Sequence, residues 1–180
     1  MRIDIEQTAA IIIDLQERLV PHMHEREALL DRCTLLMKGL SLLAVPMLIT
    51  EQYPAGLGNT VDAVRAVCRS DTIIGKVAFS CCDEPAVLAR LKETGRRTVL
   101  IAGIEAHVCV LQTALDLKAD GYDPVIAVDA VSSRRANDTR IALLRLREEG
   151  CRVTTVESVL FELMRTSRHP VFRELSKLVR

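Results

Sequence analysis

The sequence predicts an α/β fold, a doubly wound three-layer sandwich around a mostly parallel sheet with six strands. Two observations carry that expectation. Short β-branched runs alternate with longer helical patterns along the whole chain, and such alternation builds parallel βαβ units. The runs are also nearly continuous in apolar character, which is the signature of strands buried on both faces.

The runs are Ala9–Leu15, Val45–Thr50, Thr72–Lys76, Thr98–Ile104, Pro124–Ala130 and Arg152–Glu157. Between the first two, Glu25–Leu43 places Leu29, Leu36, Leu40 and Leu43 at helical spacing. Asp83–Gly95 opens with a capping Asp and Pro85 and closes at a glycine, the usual asymmetry of helix ends. His107–Asp120 stops at Gly121, and Arg134–Glu149 stops at Gly150. Two further segments, Ser158–Arg165 and Pro170–Leu178, read as helices. Their apolar residues are expected to cover an open sheet edge or a neighbouring subunit, since the crossovers already supply both helical layers. No linker or repeat divides the chain, so residues 1–180 are read as one domain, a usual domain size.

Lys plus Arg and Asp plus Glu balance at 24 each. That argues against a nucleic-acid or anionic-membrane surface, which needs a basic excess. Met1-Arg2-Ile3-Asp4-Ile5-Glu6 has charges where a secretory signal needs an apolar stretch, and runs such as Leu42–Ile49 are too short to span a bilayer. A cytoplasmic location is expected. Aromatics are few and Trp is absent, so the core must be aliphatic. The 6 cysteines are irregularly spaced, unlike a secreted disulfide framework.

In a doubly wound sheet, chemistry sits outside the carboxyl ends of the strands. Three of those ends carry reactive groups: Asp14 after the first run, Lys76 at the end of the third, and Cys109 shortly after the fourth. Each alone has a plain structural reading, as a turn residue, a surface charge and a core thiol. Together they fit nucleophilic catalysis. A helix N-terminus and a nearby ammonium favour a thiolate, and a carboxylate can take the thiol proton and return it to a leaving group. The turn from Gly103 to Cys109 also offers backbone N–H groups for a developing oxyanion.

The stretches Ile12-Ile13-Asp14-Leu15-Gln16, Gly75-Lys76 with Phe79-Ser80, and Gly103–Cys109 with Val110-Leu111-Gln112-Thr113-Ala114 resemble those of the isochorismatase-like cysteine hydrolases. Thr50-Glu51-Gln52-Tyr53-Pro54, Gly56-Leu57-Gly58, Asp129-Ala130-Val131-Ser132-Ser133-Arg134 and Pro170–Leu178 resemble the small isochorismatase domain-containing subgroup in particular. The resemblance implies an Asp–Lys–Cys triad of Asp14, Lys76 and Cys109. It implies a cis peptide between Ile104 and Glu105, and an oxyanion hole formed by the amides of Glu105 and Cys109. It also implies a Rossmann-like fold, a small amide-like or related carbonyl substrate, and a homo-oligomer. Gln16, Tyr53, Phe79 and Ala106 are expected to line the substrate pocket. The alternative is a member of the same fold that binds a metabolite or protein without turnover.

Two departures narrow the expected activity. Nicotinamidases carry an Asp-x-His metal motif where this chain has Gln52-Tyr53-Pro54. Those residues are poor ligands for a divalent ion, so no metal and no cofactor is expected. Isochorismatase itself handles a dianion, and no cationic cluster is evident near the site. His22 and His24 read as loop residues. Cys33, Cys68 and Cys151 read as packing, Cys81-Cys82 as packing or a redox pair, and His107 as a rim residue. Gly56-x-Gly58 lacks the rest of a dinucleotide fingerprint.

Overall fold

A computed structural model describes residues 2–68 and 73–180; Met1 and Thr72, the latter at the head of the third expected run, lie outside them. The strands are β1 Thr8–Ile13, β2 Met47–Gln52, β3 Ile73–Lys76, β4 Thr98–Ile104, β5 Asp123–Ser132 and β6 Arg152–Thr154. They form one sheet in the order β3-β2-β1-β4-β5-β6, and every neighbouring pair is parallel. Around it lie α1 Arg26–Leu42, α2 Pro54–Leu57, α3 Asp62–Arg65, α4 Pro85–Glu93, α5 Leu111–Ala119, α6 Ala136–Glu148, α7 Val156–Met164 and α8 Phe172–Leu178. The expected fold class is the observed one.

Alternation along the strands divides the core into two layers. Ala10 and Ile12 of β1 join the cluster beneath α1, α7 and α8. Ala9, Ile11 and Ile13 join the other, against α4, α5 and α6. Both clusters are aliphatic, with Phe172 and Tyr122 only partly buried at their margins.

Several boundaries differ from the sequence reading. The sixth strand stops at Thr154 rather than Glu157, because the Asp129 carboxylate accepts the Val156 amide at 2.8 Å and starts α7 there. Asp83 does not cap α4. It ends a short turn, Cys81–Asp83, which Ser80 caps, and Glu84 precedes Pro85 without a side-chain cap. The fifth strand runs on to Ser132, past a register shift opposite Ile101–Gly103. The C-terminal segment also departs from expectation. Val159, Leu160, Leu163, Met164 and Leu175 are buried in the chain's own core, with α7 against α1 and β5 and α8 against α1. The tail therefore completes one helical layer of the chain's own core.

Gly103 has φ +113, and a β-carbon there would lie 2.1 Å from the Ile13 carbonyl oxygen and 2.6 Å from its nitrogen. Gly103 is also the register partner of Ile13. Only glycine lets β4 approach β1 this closely beside Asp14. Gly103→Ala should destabilise the fold by at least about 2 kcal/mol, read as a fall in the urea midpoint; an unchanged midpoint would contradict the close approach.

Candidate active site

The strand order reverses between β1 and β4. Such a switch point opens a crevice at the carboxyl ends of the strands. Asp14 follows β1 and Cys109 follows β4, so the two flank it. Lys76 ends β3 and reaches in from two strands away. The structure thus brings Asp14, Lys76 and Cys109 together: Lys76 Nζ lies 2.9 Å from Asp14 Oδ2 and 3.6 Å from Cys109 Sγ.

Strand alternation alone would not aim these groups at one another. Thr50 is the register partner of Ile13, and Gln52 of Lys76. Side chains two apart on a strand share a face, so Thr50, Gln52 and Lys76 face the layer that holds Cys109. Asp14 would point to the opposite face if β1 continued. Its φ is +54, a left-handed conformation that Asp tolerates better than most residues. That turn breaks the alternation and brings the carboxylate to Thr50, whose hydroxyl donates to Asp14 Oδ1 at 2.7 Å.

The remaining carboxylate oxygen faces the ammonium. Asp14 Oδ2 lies 2.9 Å from the ammonium, its ion-pair partner. The ammonium itself is held by Gln52 Oε1 at 2.5 Å and by the carbonyls of Ala78 and Phe79 at 3.1 and 3.2 Å. Burial opposes its charge, but Asp14 and Cys109 outweigh that and raise its pKa above the ordinary 10.5.

Cys109 is placed differently from the expected helix start. It sits in a π-turn, Ala106–Val110, that precedes α5, and not in the first turn of an α-helix. The Ile104–Glu105 peptide leading into this turn is cis. Burial pushes the Cys109 thiol up to about 12, and the Asp14 charge adds to this more than Lys76 relieves it. Cys109 is 6% exposed, whereas the Asp14 and Lys76 side chains have no exposure. Cys109 is therefore the member of the trio that an entering molecule meets.

Gln16 and Ala106 do not line a pocket. Both are fully buried. The Gln16 amide is spent on Gln52, accepting from its nitrogen at 2.7 Å and donating to its oxygen at 3.0 Å, and on Gly58 O at 2.7 Å. Ala106 packs in the core layer beside Cys109. Tyr53 and Phe79, by contrast, are 57% and 55% exposed, on the loops after β2 and β3. Glu105 accepts from Arg134 N and Nε at 3.1 Å, and His107 Nδ1 shares a hydrogen bond of 2.9 Å with Ser133. These contacts join the β4 turn to the loop after β5. Cys81 is buried beside Thr50, and Cys81 and Cys82 are free thiols. Among the described residues no group of three or more His, Cys, Asp or Glu is placed to hold a metal ion, and no helix is long and apolar enough to cross a membrane.

The family model of the Isochorismatase domain matches residues 8–158. The chain belongs to the isochorismatase family. Isochorismatase family protein 1B of Dictyostelium discoideum is 38% identical over 175 residues, covering 94% of this chain and 84% of that one. A structure described as a MAR1 ribonuclease from Caenorhabditis elegans is 36% identical with a TM-score of 0.93, over 99% of this chain and 92% of that one. The YcaC gene product of Escherichia coli, described as an octameric hydrolase of unknown specificity, shares the fold at 23% identity and a TM-score of 0.93, over 99% and 89% of the two chains.

The raised thiol sets a measurable pH dependence. Alkylation of Cys109 by iodoacetamide, mapped by mass spectrometry, should climb about tenfold per pH unit between pH 7 and 10. Lys76→Met removes the cation that lowers the thiol pKa, so it should slow the reaction at every pH. A rate that is already flat at pH 7 would mean a resting thiolate.

Proposed function

We propose that this isochorismatase-family chain is a metal-independent cysteine hydrolase of a small amide-like or related carbonyl compound. The observation that carries the reading is the buried Asp14–Lys76 pair set against Cys109 at the switch point of the sheet. A thiol raised to about 12 is not a nucleophile until its proton leaves. Asp14 Oδ2 takes that proton as the sulfur attacks the carbonyl carbon. The amides of Glu105 and Cys109 hold the oxyanion. Asp14 then gives the proton to the leaving nitrogen, the C–N bond breaks, and a thioester remains. Water adds to the thioester with Asp14 as base, the acid departs, and the thiol is restored. Lys76 keeps its proton throughout and stabilises whichever anion is present, carboxylate or thiolate. Tyr53 and Phe79 wall the entrance.

A relative described as a ribonuclease raises a second activity. RNA cleavage draws on cationic surface along a phosphate backbone, whereas this chain balances its charges and seals its one site lysine from solvent. The carbonyl reading fits those facts better. A non-catalytic binder would have no use for a buried ion pair facing a thiol.

A homo-oligomer remains our reading, on different grounds from the tail. Tyr53, Val77 and Phe79 are exposed together on the loops around the site, and the E. coli protein of the same fold is described as octameric. A neighbour covering these residues would exclude water from the entrance. Sedimentation at micromolar concentration should show no monomer-sized species; a fully active monomer would end this reading.

A panel of small amides, ureido compounds and esters should include one that wild-type protein hydrolyses. Cys109→Ala should lose at least about a thousandfold in rate with the fold intact, and adding Asp14→Asn should cost little more, because the groups act as a unit. Dialysis against a strong chelator should leave the rate unchanged. Turnover by Cys109→Ala, or RNA cleavage in place of carbonyl hydrolysis, would refute the proposal.

A further inference from the structure

We propose that Gln52 is the positioning residue of the site, a neutral oxygen that holds the Lys76 ammonium against Asp14 and Cys109 without cancelling its charge. The inference rests on Cys109 as the nucleophile. Gln52 and Lys76 are register partners at the last rung of the β2–β3 ladder, so their side chains leave the sheet together on one face. Gln52 Oε1 is the shortest contact of the ammonium, at 2.5 Å. Gln52 Nε2 donates to Val77 O at 2.7 Å. That bond anchors the loop whose next two carbonyls, Ala78 and Phe79, also accept from Lys76. One amide thus grips the cation directly and also fixes the other neutral oxygens around it.

Gln52 is itself held. The buried Gln16 amide pairs with both its main-chain nitrogen and its main-chain oxygen. This continues the β1–β2 pairing past its last strand rung, Ile13 with Thr50. A side chain on so rigid a mount keeps its oxygen in place with little freedom to lose on each cycle.

The neutrality of the residue matters as much as its place. Asp14 and Lys76 form a pair of zero net charge. Moving the Cys109 proton to Asp14 leaves Lys76 and a thiolate, again zero. A carboxylate at position 52 would grip the ammonium equally well but would set a second negative charge beside the forming thiolate. The sheet turns the carboxylate next to Gln52 in sequence away. Glu51 points to the opposite face, where it accepts from Thr60 N and Oγ1 at 2.6 and 2.7 Å. Among the described residues, the charged or titratable groups that act most on Lys76 and Cys109 are each other, Asp14 and Cys81.

The test compares iodoacetamide alkylation of Cys109 in wild type, Gln52→Glu and Gln52→Met, across pH 7 to 10, with circular dichroism as the check on folding. Gln52→Glu keeps size and an acceptor oxygen, so it should fold and yet alkylate at least about tenfold more slowly at pH 9, its profile shifted upward by a unit or more. Gln52→Met removes the grip without adding charge and should slow the reaction as well. A wild-type rate in folded Gln52→Glu, or in folded Gln52→Met, would overturn the proposal, and so would failure of both variants to fold, which would make Gln52 a structural residue only. Absence of any Cys109 alkylation in wild type would instead remove the nucleophile and the proposed function with it.

Discussion

A lysine and an aspartate share a space closed to water, and the arrangement of the site follows from that pairing. Neither ion is stable there alone. Desolvation of a single charge costs several kcal/mol, and losing one partner of a buried pair typically costs about 3–5 kcal/mol. Each must therefore be satisfied by its surroundings. Thr50 takes one carboxylate oxygen, and Gln52 with the Ala78 and Phe79 carbonyls surrounds the ammonium. The left-handed turn at Asp14, the close approach of Gly103 and the Gln16 clamp all place these partners. The thiol feels the same closed environment. The burial that makes the ion pair strong also raises the thiol's pKa.

The fold was legible because its signals are local. A strand covered on both faces must be apolar at nearly every position, and β1 and β4 are. The helices that stop at Gly95, Gly121 and Gly150 do so because each glycine takes a positive φ, at +66, +81 and +79. The juxtaposition of Asp14, Lys76 and Cys109 was legible for a related reason. A parallel sheet gathers its strand ends on one side, so reactive residues just past those ends are brought close whatever their distance in sequence.

What stayed hidden depends on register and backbone geometry. Nothing in Thr50-Glu51-Gln52 says which residues face the cysteine layer; a shift of one position would exchange Glu51 for its neighbours. Gln16 and Ala106 follow strand ends, as pocket residues do, yet both are buried. The rise in the thiol's pKa was not legible, because dipole and ammonium are visible in a sequence, whereas the depth of burial that opposes them is not. The tail's apolar residues suggested an unmet surface only because the sheet face they cover, beside α1, is assembled from distant segments.

The reversal of strand order between β1 and β4 also has a meaning in time. Asp14, Thr50, Gln52 and Lys76 all lie in the first half of the chain, and they come from three strands that pair consecutively with one another. The cysteine belongs to the second half and reaches them only when β4 docks against β1. During synthesis, which exposes the N-terminal part first, the cradle of polar groups precedes the sulfur it serves. A ribosome-bound fragment ending before β4 has Asp14 and Lys76 but not Cys109, so the trio is complete only once the two halves of the sheet have joined.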